Sequence, residues 1–179
     1  MFAIRNGVFE TNSSSSHAIC IKNTNTNSAL DLHDRIDPNG NMLFLEDDLG
    51  FYRAPFRVLL SPYDKLRYAI AHASMYDPEE AAAYIASLEA IVHRYNQGFN
   101  HFCFELNSGG RCQYGGLDDY ILIRWLEAHD VPMEDFITQD KYFVVCDGDE
   151  YNIFRDMVLC GLVDRSKIQI YGGCMYEDD

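Results

Sequence analysis

Short apolar runs, separated by clusters of Asn, Ser, Asp and Gly, alternate along this chain with longer stretches of helical periodicity. Residues 2–9 (FAIRNGVF) and 17–22 (HAICIK) read as two strands. The polar run ETNSSSS joins them, which predicts a hairpin with a long serine-rich loop. Residues 23–28 (NTNTNS) carry no core signal, and the apolar runs 42–46 (MLFLE) and 56–60 (FRVLL) read as short strands. Ser61-Pro62 then opens a helix to about residue 73, because serine caps free backbone N–H groups and proline suits the first helical position. Asp77-Pro78-Glu79-Glu80 repeats the device with acid at the positive end of the helix dipole. That second helix reaches about residue 97 before Gly98, and its stripe is Tyr84, Leu88, Ile91 and Tyr95.

The second half alternates between the two periods. Strands are expected over 100–106, 141–146 and 167–171, and helices over 117–129, 132–138 and 150–160. Strand, helix, strand is the pattern of βαβ units with parallel pairing. The expectation is one mixed α/β domain over 1–179, in which an N-terminal hairpin region (1–60) precedes a helical hairpin (61–98) and a βαβ-like region (99–179). One sheet, antiparallel at the N-terminal hairpin and covered by helices, is the economical arrangement.

Composition sharpens this picture. With 179 residues, 47% of them hydrophobic and 13% aromatic, the chain can build a core without staples. No apolar run is long enough to span a membrane, and the first twenty residues lack the pattern of a secretory signal. Six cysteines, at 20, 103, 112, 146, 160 and 174, include no C-x-x-C pair and read as reduced thiols of a cytoplasmic protein.

The net charge is −14, and the acid is graded. Basic and acidic residues number 5 and 7 in 1–60, 4 and 8 in 61–120, and 5 and 13 in 121–179. Direct DNA binding and membrane binding are disfavoured, because phosphate contacts need cations. A basic partner suits such a surface. Glu127, Asp130, Glu134, Asp135, Asp140 and Glu177 are the acidic groups expected to be exposed in the last third.

Four constellations carry candidate chemistry. Ser15 and His17 are two apart, a nucleophile-and-base spacing in an extended chain, but Ser/Thr/Asn runs more often hydrogen-bond their own backbone as compact turns. His101-x-Cys103 followed by Cys112 would begin a zinc site if His72 or Cys174 completed it; coincidence within the apolar run Phe102–Phe104 is the plainer account. Asp147, Asp149 and Glu150 follow an apolar strand, where two carboxylates would hold magnesium for phosphoryl chemistry or serve as turn and helix-start residues. Ser108-Gly109-Gly110-Arg111 and Gly115-Gly116 bracket a glycine-rich loop, and the acids Asp118 and Asp119 that follow it would repel an anion. No cofactor follows from any of these.

The block RNGVFETNSSSSHAI resembles an N-terminal motif in proteins of phages and prophages of Firmicutes, among them a type II-A anti-CRISPR family. The resemblance covers about fifteen residues and carries no catalytic residue. It implies a phage protein of the host cytoplasm that binds a type II CRISPR nuclease or its guide-RNA complex and inhibits it. Ser15 and His17 then become candidate contact residues beside the acidic groups.

Overall fold

The computed structural model describes residues 16–22, 30–49, 51, 57–105, 121–147 and 168–171. Within them the chain runs β1 (Ser16–Lys22), β2 (Asn41–Leu45), α1 (Glu46–Leu49), β3 (Arg57–Leu59), α2 (Pro62–Ala71), α3 (Pro78–Tyr95), β4 (His101–Glu105), α4 (Ile121–His129), α5 (Met133–Thr138), β5 (Tyr142–Asp147) and β6 (Ile168–Tyr171). The fold is mixed α/β, as the pattern predicts. The strand expected over 2–9 and the helix expected over 150–160 lie outside the described residues.

Among the described residues the expected single sheet is two. Four strands in the order β3-β5-β1-β6 form one, and β2 and β4 pair by themselves. Every ladder of the four-stranded sheet is antiparallel. The βαβ pattern predicts β5 and β6 as parallel neighbours. They do run the same way, but β1 lies between them, antiparallel to both. Over residues 19–21 β1 is paired on both sides, which leaves it no edge there for the hairpin partner expected from residues 2–9. The parallel pairing occurs elsewhere, between β2 and β4, with Asn41 opposite His101 and Leu45 opposite Glu105. The regions read along the sequence are therefore interleaved: the named strands of the first sixty residues pair only with strands beyond residue 100.

Local chemistry explains the helices. Ser61 Oγ accepts from the Asp64 N–H at 3.1 Å, and Asp77 Oδ1 accepts from the N–H groups of Glu79 and Glu80 at 3.0 Å each. The α3 stripe buries Leu88, Ile91 and also Val92, with Tyr84 half-buried. Tyr95, expected on that face, is instead 45% exposed. Tyr84 donates its hydroxyl to the Ala69 carbonyl, joining α3 to α2, and burial pushes its phenol far up from the ordinary value.

One apolar cluster takes in Ile19, Leu59, Val144 and Cys146 of the antiparallel sheet, Met42, Phe44 and Phe102 of the parallel pair, and Leu66, Ile70, Leu88 and Phe136 of the helices. Two of the buried polar side chains tie elements together. Asn96 accepts from the Leu32 N–H and donates to the Leu30 and Val92 carbonyls, so segment 30–32 is pinned to the end of α3. Lys65 donates Nζ to the Gln139 carbonyl at 2.8 Å, under the Phe136 ring, and fastens α2 to the end of α5. A cation at a helix C-terminus interacts favourably with the dipole.

Candidate functional site

Four of the acidic groups expected to be exposed in the last third, Glu127, Asp130, Glu134 and Asp135, fall on one elbow, α4 turning into α5. Leu122, Trp125 and Leu126 are buried, and Glu127 is exposed beside them. The turn out of α4 is a Schellman closure: the Val131 N–H donates to the Leu126 carbonyl at 3.0 Å and the Asp130 N–H to Glu127 at 3.4 Å. Asp130 takes the left-handed position at φ 51°, which glycine usually fills, and it is exposed. Pro132 is the N-cap residue of α5, whose first turn carries Glu134 and Asp135.

These acids are not equivalent. Glu127 and Asp130 are exposed; Glu134, Asp135 and Asp140 are half-buried. Glu134 is committed to internal bonds. It accepts from the Arg94 guanidinium and from the Tyr95 hydroxyl at 2.7 Å, so it clamps α5 to the end of α3. That carboxylate, accepting the hydroxyl, pushes the Tyr95 phenol up from its ordinary value. Trp125, the chain's single tryptophan, stacks on His129 at 4.7 Å and meets Tyr142 edge-on, which braces the elbow on β5. Glu177 and Ser15 lie outside the described residues.

His17 is on β1. Its register position is opposite Cys146, and Ser16 is opposite Asp147. Arg57 on β3 flanks Cys146 from the other side. The end of the serine motif and Asp147, the first residue of the run Asp147-Gly148-Asp149-Glu150, are thus neighbours at one end of the antiparallel sheet. Sequence spacing held no signal for this, since about 130 residues separate them. Asp149 and Glu150 lie outside the described residues.

The proposed zinc residues are dispersed where they are described. His101 is exposed at the start of β4 with Nδ1 3.8 Å from Glu89, and Cys103 is half-buried two residues on. His72 is buried at the end of α2, its Nδ1 3.0 Å from the Tyr68 carbonyl oxygen. Cys112, Cys174 and the glycine-rich stretch 108–116 lie outside the described residues. Among the described residues, no three His, Cys, Asp or Glu side chains gather to hold a metal ion. None of the described helices is long and apolar enough to cross a membrane.

A second cluster escaped sequence reasoning. Tyr63 lies under the Arg35 guanidinium at 4.5 Å and near that of Arg67 at 5.7 Å, with Phe44 stacked on it. Arg67 also donates Nε to the Asp48 carbonyl at 2.6 Å, so the group braces α1 against α2. Comparison with family models, curated proteins and solved structures returns no match.

Proposed function

We propose that the protein acts by binding, as a phage-encoded anti-CRISPR inhibitor of a type II RNA-guided nuclease. The observation that carries the reading is the braced acidic elbow. Glu127 and Asp130 stand exposed on a turn that Trp125 and the Glu134 clamp hold to the core. Nucleases of that class hold nucleic acid in positively charged channels. A chain of net charge −14 with rigidly presented carboxylates is suited to occupy one as a nucleic-acid mimic. The serine motif, through its resemblance, supplies the target class.

The test is a cleavage assay over inhibitor ratios. Inhibition should saturate near a fixed molar ratio; complete loss of cleavage at about a hundredfold deficit of this protein would reject binding. Association should weaken with salt, since exposed charges are screened over about 8 Å at physiological ionic strength. Trp125 emission should report it. Asp130→Gly separates the two roles of that residue: the fold should gain about 0.5–1 kcal/mol, while affinity for the nuclease falls.

The register of Ser16 with Asp147 favours one other reading, a metal-dependent phosphoester enzyme using Asp147, Asp149 and Glu150. Asp147→Asn should leave inhibition intact under the binding reading and abolish activity under this one.

A further inference from the structure

We propose that the outer face of the β2–β4 pair is the contact between two copies of this chain in a weak two-fold dimer. Parallel strands are normally covered on both faces. Here Met42, Phe44 and Phe102 cover the inner face with core. The register puts Asn41, Leu43 and Leu45 of β2 beside His101, Cys103 and Glu105 of β4 on the outer one. Leu43 is 50% and Leu45 47% exposed, and Cys103, in register with Leu43, is half-buried.

The edges of this pair are partly blocked. Glu89 accepts the Phe102 N–H at 2.8 Å on β4, and Ile36 bridges Met42 on β2. Strand addition is thereby disfavoured, and the face is what remains.

Its polar ends select the occupant. His101, whose Nδ1 lies 3.8 Å from Glu89 of its own chain, stands at one end of β4 and Glu105 at the other. A two-fold axis in the plane of contact and perpendicular to the strands turns β4 over onto its copy. His101 then meets Glu105 of the second copy, Leu43 meets Leu43, and Cys103 meets Cys103. An axis along the strands would lay β4 over β2 of the second copy and put His101 against Asn41, with no imidazole–carboxylate pair. The face is self-complementary in the first arrangement, as a two-fold contact requires. Two leucines and a thiol cover far less than the roughly 800 Å² per partner of a stable complex, and copies of charge −14 repel. The dimer is therefore weak, in fast exchange and strengthened by salt.

Sedimentation under reducing conditions, from about 10 µM to about 1 mM protein, should show dimer growing with concentration and with salt up to about 0.5 M. Leu43→Lys with Leu45→Lys should sediment as monomer throughout, with unchanged circular dichroism because both positions are exposed. Glu105→His alone should weaken the dimer, and adding His101→Glu should restore it. A bismaleimide reaching about 10 Å, the spacing of stacked sheets, should cross-link the wild type and not Cys103→Ser. A monomer at the highest concentration and salt overturns the proposal. So does a dimer indifferent to the lysine pair. A lysine variant that loses nuclease inhibition while the wild type stays monomeric assigns the face to another partner, and also overturns it.

Discussion

The two sheets solve the same problem in opposite ways. In the antiparallel sheet, β5 has β3 on one side and β1 on the other, and Phe143, Val144, Val145 and Cys146 are all buried. Its alternation is masked because both faces are covered. Among the described residues the parallel pair is two strands wide, buries one face and leaves Leu43 and Leu45 on the other. Side chains bond its ends. Asp37 accepts from the Asn39 and Asn41 N–H groups at 2.8 Å each, and Asp48 accepts from the Leu45 N–H at 2.9 Å. Glu89 takes the Phe102 N–H, and Asn100 donates its backbone N–H to Gly40 and its side-chain amide to Asn39. A central strand is held by its ladders and burial, whereas an isolated pair needs its ends tied.

The largest test of that contrast compares one phenylalanine from each sheet. Phe44 and Phe143 are both fully buried. If the parallel pair is as integral as its ties suggest, either Phe→Ala change lowers stability by about 3–5 kcal/mol in urea unfolding. A loss below about 1 kcal/mol for Phe44→Ala would make the pair a detachable attachment. Hydrogen exchange then separates the modes, with β5 amides the slower.

A smaller effect is expected at Gly40. Its φ of 84° is left-handed, and a Cβ there would lie 2.5 Å from both the Gly98 carbonyl oxygen and Asn100 Nδ2. Gly40→Ala should cost about 1–3 kcal/mol and loosen β2 and β4 before β5. Uniform loosening of both sheets would show that the turn does not tie the pair selectively.

The smallest effect is a pH dependence. The Asn41 N–H chiefly holds the Asp37 carboxyl below its ordinary value, against a smaller opposing push from desolvation, and the Asn39 N–H adds to the lowering. A lowered folded-state pKa means stability present above the unfolded value, about 3.9, and lost as pH falls through the folded one. Asp37→Asn should be less stable than wild type near pH 7, and the gap should close as acid protonates Asp37. A constant gap across that window would remove Asp37 from the account of the turn.

What the sequence by itself determined is local. Ser61 and Asp77 cap α2 and α3 where their spacing predicted, because a cap joins groups within three residues. The strands at 41–45, 101–105, 142–147 and 168–171 were also legible, since alternation and apolar runs mark extended chain. Their partners were not. A two-residue period says which residues share a face and nothing about which strand lies beside it. Loop closure costs only slightly more for a long connection than for a short one, so sequence proximity is a poor guide to pairing. Packing decided that β1 enters between β5 and β6, that β2 finds β4, and that Ser16 meets Asp147. It decided as well that Glu134, which composition marks only as surface acid, is bound by Arg94 and Tyr95, and that Lys65 is buried. A charged side chain reads as solvated until the tertiary fold brings it a partner, and that partner stands 39 or more residues away in each case.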